Sequence, residues 1–490
     1  MMLDRSKLVA ILSEERVYDD LETLEQFSRD QSFVPQRRPD FVVYPESVEE
    51  VQQIVQLANE TRMPVIPLSS GLNLHGAAVP DHGGIVVNLS RMNKILMMDE
   101  KNLFVLIEPG VTYEQLQDYL VERGYRVMIP FGVPAKRSVL SSYLERDPVM
   151  AAPSFEYGNY LIMDTEIVLP TGEIFKTGIW STSDKPGGPM GPVRTILFRL
   201  WTGAQGTLGI MTKMCVHIHP LINEHKIFFI PFDNLSDAIE PLKCIQRREI
   251  GLECFLINDF NLAALTNQNW TVPTSFPSPE QQSTAFSAMK RELPPWVMVI
   301  CLRGALRHPA QKIAYEEDAL REECERLTIQ LKESIPQCAG LERTISDQII
   351  RPWGVLRKFN YKGSVHDLNF MSPLKKVAEM EATIKDVCSS GNYDCDAIGG
   401  YLLPIERGRG IHCEFDLHCD ILNGEEREQV RDIWFKASED LLNRGAYFSR
   451  PYGAWAEMMY RRSGNYTRTL QEIKSEVDPN GVMNPGKLCF

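Results

Sequence analysis

The chain has 490 residues, of which 43% are hydrophobic and 24% charged, and it carries a formal net charge of -13. The length exceeds one ordinary core and predicts at least two domains, and the composition is that of a folded chain. The acidic balance excludes nucleic acid as the main partner, because phosphate binding needs a basic surface. No apolar run is long enough for a membrane span, and Met1 to Leu12 lacks the apolar stretch of a secretory signal, so a soluble cytoplasmic protein is expected. The eleven cysteines show no CxxC spacing and read as reduced thiols.

In chain order, Ser47 and Glu50 form a capping box ahead of Val51, Ile54, Val55 and Ala58 at helical spacing. The run 64–68 reads as a short strand, 69–76 as a turn-rich loop and 84–89 as a second strand. The run 103–107 reads as a buried strand, after which Thr112 and Gln115 cap a helix ending at Gly124. Residues 164–176 read as a hairpin turning at 170–172, and the Gly/Pro-rich stretch 180–194 as a long surface loop. From about His225 strand-like runs (226–231, 296–302, 412–418) alternate with amphipathic helices (315–332, 425–443). That texture predicts an α+β unit with an antiparallel sheet and helices to one side. A last helix is expected over 469–477.

Two segments bear on ligand chemistry. The loop Ser69-Ser70-Gly71-Leu72-Asn73 and the turn 203–209, with Gly206, Thr207 and Gly209 before Ile210, are uncharged, rich in small residues and adjacent to buried strands. Such turns let backbone N–H groups approach a diphosphate, which points to a dinucleotide. The GxGxxG fingerprint of the Rossmann fold is absent.

Together with Glu108-Pro109-Gly110-Val111 and the ending 478–487, these motifs, in this order from about Leu21 to Lys487, resemble the FAD-linked oxidases of the p-cresol methylhydroxylase (PCMH) and vanillyl-alcohol oxidase superfamily. The resemblance implies an α+β fold: a two-subdomain PCMH-type FAD-binding domain and an antiparallel-sheet cap domain with flanking helices. The first would span 1–222, with 451–490 returning to it, and the cap 223–450. It implies FAD held by Ser69, Ser70, Gly71, Leu72 and Asn73, by Pro109 and Gly110, by Gly206, Thr207, Gly209 and Ile210, and by the returning Asn484 and Lys487. Homo-oligomers are common among such enzymes and one is expected here.

The cap segments 304–306, 369–373 and 408–412 resemble the branch that oxidises para-substituted phenols, whose members hold a phenolate with an arginine and tyrosines. The arginine falls on Arg450, while its neighbouring tyrosine is replaced by Ser449 and a further one falls near His75. Tyr452, Tyr447 and His75 are candidates for the missing donors. Glu156 and Tyr157 stand where the branch carries an acidic residue near the flavin. A covalent flavin link would fall at Leu368, with His366 two residues away, so non-covalent FAD is expected with His366 as the alternative attachment point.

The competing branch oxidises D-2-hydroxy acids, some members through a divalent metal. His412, Glu414, Asp416 and His418 alternate onto one strand face. They could ligate a metal or line the floor of a substrate pocket, with His412 the candidate catalytic residue; no metal is expected. Arg303, Arg307 and Arg351 could converge on an anionic substrate. A third alternative is a flavin-binding subunit of an electron-transfer complex, and the electron acceptor is not legible.

Overall fold

The computed structural model describes residues 4–72, 74–150, 161–187, 196–273, 284–420 and 422–490. Four sheets organise the described residues. The first, of four strands, runs in the order Val17–Tyr18, Phe41–Val43, Ile85–Asn88, Val65–Leu68, and its last three strands are parallel. The helix Val48–Thr61 supplies the crossover. The Ser47 hydroxyl accepts from the Glu50 N–H, as the capping box predicts, while the Glu50 carboxylate turns back to the Glu46 N–H and pairs with Arg16. Val51, Ile54, Val55 and Ala58 bury their face against Val65, Ile85 and Val87.

The second sheet is antiparallel, in the order Ile95–Asp99, Phe104–Ile107, Ile210–His217, Ile162–Val168, Ile174–Lys176. It includes the hairpin expected around 170–172. The stretch 180–194 is not wholly a surface loop. Its start lies in a short 3₁₀ helix, Gly178–Ser181, that buries Trp180, and Gly187 packs so closely on Phe104 that no side chain fits.

A six-stranded sheet, antiparallel throughout, follows: His225–Phe232, Trp296–Arg303, Glu253–Asn258, Gly399–Ile405, Gly410–Asp420, Gly363–Ser372. Helices Leu235–Arg247, Pro309–Leu327, Val377–Ser390 and Gly424–Arg444 contribute to its core. The helix expected over 315–332 starts earlier, because Pro309 suits a first turn, and stops at Thr328 in a left-handed cap.

The C-terminal helix Gly464–Val477 brings the chain back to the first sheet, where Val65 N–H donates to Val482 and Asn484 N–H to Val65 (2.7 and 2.9 Å). Lys474, buried, donates to Asp478 and to the carbonyls of Thr207 and Met483. All eleven cysteines are free thiols. Among the described residues no helix is long and apolar enough to cross a membrane.

Candidate active site and cofactor cleft

Two adjoining cavities share Leu72 and Arg137 in their walls. The first is a cleft between Ser69–Leu72, Ala77–Val79 and Pro109 on one side and Ala204–Gly206, Gly209 and Ile210 on the other. Gly71 sits in the left-handed region at φ +66, and a Cβ there would meet nothing closer than 3.8 Å, so the backbone faces open cleft. Gly206 (φ +73) is pressed on Pro67, where a Cβ would come within 2.8 Å. A narrow cleft floored by backbone turns suits a diphosphate that side chains would obstruct. These residues fit the FAD that the motifs imply.

Several other residues with a cofactor role in the sequence reading stand behind the cleft. Thr207 is fully buried and its hydroxyl donates to Ala204. Gly110 donates its N–H to Met92 and leaves no room for a Cβ against Ser90. Asn484 donates to the carbonyls of Ala77 and Gln205, tying the two turns together, and Lys487 pairs with Asp81. None of the four lines the cleft itself. Asn73, Glu156 and Tyr157 lie outside the described residues.

The second cavity lies against the six-stranded sheet and gathers His75, Tyr452, Arg450 and His412 from the sequence reading. The loop carrying Arg450 is pinned by a backbone pairing of Met371 with Tyr447 and by Phe448 stacked on Trp455 at 4.6 Å. Arg146 and Gln205 donate to the carbonyls of Ser449 and Pro451. The Arg450 guanidinium pairs with Asp147, whose other oxygen takes Arg137 (2.9 Å) and the Ser142 hydroxyl (2.7 Å). Burial pushes the Asp147 carboxyl up, but the two guanidiniums outweigh it and hold it below its ordinary range. Arg137 also donates to the Leu72 carbonyl in the cleft loop. Tyr452 donates to Glu145 in the cleft wall, so a second bridge joins the cavities. Burial raises both groups, and Glu145 raises Tyr452 further.

His75 stacks on Tyr452 at 4.9 Å and meets Asp367 at 3.0 Å. Asp367 also accepts from Asn369. Burial opposes ionisation of Asp367, yet these partners hold its carboxyl well below the usual range. Tyr447 is half exposed and lines neither cavity, so it is not a third donor.

The strand face expected to offer two imidazoles and two carboxylates is divided. His412, Glu414 and Asp416 line the cavity, whereas His418 packs on Phe260 and Tyr361 (4.5 and 5.5 Å between ring centroids). Lys358 places its ammonium 2.8 Å from Glu414 and 2.7 Å from Asp416, where a cation between the carboxylates would sit. The set does not fit a divalent ion, and no metal-binding group of histidine, cysteine, aspartate or glutamate occurs among the described residues. Burial raises Asp416, while Lys358 overrides burial to keep Glu414 low. His412 is lowered by burial.

The arginines suggested as convergent do not converge. Arg303 pairs with buried Glu253, Arg351 with Asp118, and Arg307 is exposed. His366 stacks on Phe33 at 4.3 Å and lines neither of the two cavities. Sequence reasoning missed Arg137, Asp147, Lys358 and Asp367. The available signal was weak: Lys358 follows Arg357 in a stretch that also holds Val355, Leu356 and Phe359.

A model of the FAD binding domain family matches residues 39–178. The glycolate oxidase subunit GlcD of Bacillus subtilis (strain 168) is 24% identical over 472 residues, covering 92% of this chain and 89% of that protein. The 4-cresol dehydrogenase [hydroxylating] flavoprotein subunit of Pseudomonas putida is 23% identical over 497 residues, 92% of this chain and 87% of that one. Among solved structures, 4-ethylphenol oxidase from Gulosibacter chungangensis superposes with a TM-score of 0.81 at 20% identity, covering 98% of this chain and 95% of that one. p-Cresol methylhydroxylase with substrate bound gives 0.80 at 19% identity, covering 99% and 96%. Cleft, domain match and architecture converge: residues 39–178 match the FAD binding domain, the fold is that of the PCMH-type flavoproteins, and the chain is an FAD-dependent oxidoreductase.

Proposed function

We propose that this enzyme removes a hydride from a para-substituted phenol or benzylic alcohol, with 1–222 and 451–490 holding FAD and 223–450 capping the substrate. The observation that carries the proposal is the cavity that sets Arg450, Tyr452 and His75 beside aromatic walls, Phe131, Tyr401 and Phe359. FAD, when bound, supplies the two-electron acceptor for that hydride. Arg450 stabilises the phenolate oxygen, which pushes electron density toward the para carbon as the hydride leaves. His75, held in place by its stack on Tyr452, completes the anion end. His412, kept neutral by burial, takes the hydroxyl proton of a benzylic alcohol. The location of His366 against Phe33 supports a flavin held without a covalent bond.

A 2-hydroxy acid dehydrogenase is the second reading, favoured by full-length similarity to glycolate oxidase and D-lactate dehydrogenase. The Lys358 ammonium between Glu414 and Asp416 weighs against a metal-assisted version of it. Two relatives are named as subunits, which supports assembly with other chains, either copies of this one or an electron acceptor.

The test is anaerobic mixing of the yellow holoenzyme with 4-alkylphenols, 4-hydroxybenzyl alcohols, glycolate and D-lactate while flavin absorbance is followed. Bleaching by the phenolic compounds alone is expected. Bleaching by glycolate or D-lactate alone overturns the substrate class. Acid precipitation should release the colour into the supernatant, and colour kept in the pellet would place a covalent link.

A further inference from the structure

Among the described residues five tyrosines are deeply buried, and four of them are bonded within the protein. The Tyr113 hydroxyl donates to Ser142, Tyr143 to the Met128 carbonyl, Tyr452 to Glu145, and Tyr393 exchanges bonds with the His418 backbone. The fifth, Tyr401, is 2% exposed, and among the described residues its hydroxyl has no partner. An orphaned buried hydroxyl costs free energy that phenylalanine in the same place would not. Packing gives no reason for it, since the ring stacks on Phe131 at 4.9 Å and needs no oxygen to do so.

The orphan lines the substrate cavity. Tyr401 lies directly opposite Glu414 in the pairing of Gly399–Ile405 with Gly410–Asp420, so the two side chains share a face. One Glu414 oxygen accepts from Lys358, and the other lies 4.0 Å from His412 Nε2, beyond hydrogen-bond range. Among the described residues the cavity therefore offers one unused O–H and, on the same face, one carboxylate oxygen without a close donor. Two carboxylates share one ammonium here, which biases this end toward a ligand that donates a hydrogen bond.

We propose that Tyr401 and Glu414 form a subsite for a second hydroxyl on the substrate's aromatic ring, separate from the oxygen held at Arg450. That hydroxyl donates to Glu414 and accepts from Tyr401, satisfying both groups. The inference rests on the phenolic reading above and narrows it to dihydroxylated rings.

The experiment titrates the holoenzyme with phenol, catechol, resorcinol and hydroquinone and reads Kd from perturbation of the bound flavin's spectrum, so no turnover is needed. At least one diol should bind about 10-fold more tightly than phenol, as one hydrogen bond to a buried unpaired group predicts. In Tyr401→Phe and in Glu414→Gln that ratio should fall to about 2-fold or less. Tyr401→Phe should melt no lower than the wild type, a result a merely structural tyrosine would not give. Phenol binding with no preference for any diol, or a preference surviving in both variants, overturns the subsite and leaves the phenolic reading standing. Absence of perturbation by all four compounds overturns both.

Discussion

The two cavities that meet at Leu72 and Arg137 are built on opposite principles. The cofactor cleft is shaped by backbone: glycines at positive φ, two uncharged turns, and buried clamps such as Asn484 and Lys474 that hold those turns in place. The cavity against the six-stranded sheet is shaped by side-chain charge: Asp147 between two arginines, Lys358 between two carboxylates, Asp367 on His75. The contrast teaches how each half fails. A shape-selective cleft breaks by a clash, whereas a cavity of paired charges breaks when one partner is removed and the other is left buried.

The largest effect is expected at Gly206. Leucine there must adopt φ +73 and drive its Cβ to within 2.8 Å of Pro67, so Gly206→Leu should purify colourless, with FAD affinity weakened at least about 100-fold. Flavin absorbance per protein, followed by titration with added FAD, checks it. Gly71→Ala should be milder because its Cβ meets open space, leaving only the left-handed backbone cost of about 1–2 kcal/mol. Equal losses from both changes would show that the cleft is not read by shape.

Arg450→Ala should leave FAD bound and slow substrate-dependent flavin reduction by about 100- to 1000-fold, the usual magnitude for a lost charge-stabilising donor. Stopped-flow absorbance measures this, and a colourless variant would instead assign Arg450 to the cofactor or the fold. Lys358→Met should act on stability, since it leaves Glu414 and Asp416 buried side by side without a cation. A loss of about 3–5 kcal/mol in urea unfolding is expected at neutral pH. The loss should shrink as pH falls, because Asp416, already raised by burial, then takes a proton in the folded state.

The same contrast explains what the sequence revealed. The cleft was legible because left-handed backbone demands glycine within a few residues of a strand, so Gly71 and the turn from Gly206 to Gly209 carry their geometry in local order. The six-stranded sheet was legible from the apolar runs around Lys226, Trp296 and His412. The cavity was only partly so. Arg450 and His75 emerged through resemblance, but Asp147, Lys358 and Asp367 come from separate segments and meet only in the fold. The metal alternative went astray for that reason: alternation put His412 and His418 on one face, but not the Lys358 that fills the space or the aromatic packing around His418. The arginines at 303 and 351 were equally ambiguous, since each is consumed by a carboxylate from a distant strand or helix.

The smallest effect separates dry from charged parts of the six-stranded sheet and its surroundings. Burial lowers His366, His412 and His418, with His366 brought down to about 3 from its ordinary value of 6.5. Below about pH 6.5 the unfolded chain takes up protons that these native imidazoles refuse. Their contribution to stability is therefore present above 6.5 and is lost as pH falls toward 3. Asp416 works the other way. Its carboxyl is raised from 3.8 to about 6, so its contribution is complete below 3.8 and is lost as pH rises through 6. Three histidines act against Asp416 and the less strongly raised Asp259 and Glu145, whose carboxyls burial also lifts, each group at no more than about 1.4 kcal/mol per pH unit. The Tm should thus fall between about pH 7 and pH 5, and His366→Phe, which keeps the stack on Phe33, should flatten the slope. A Tm that rises on acidification would mean that the native imidazoles bind protons, and that their surroundings are charged like the rest of the cavity.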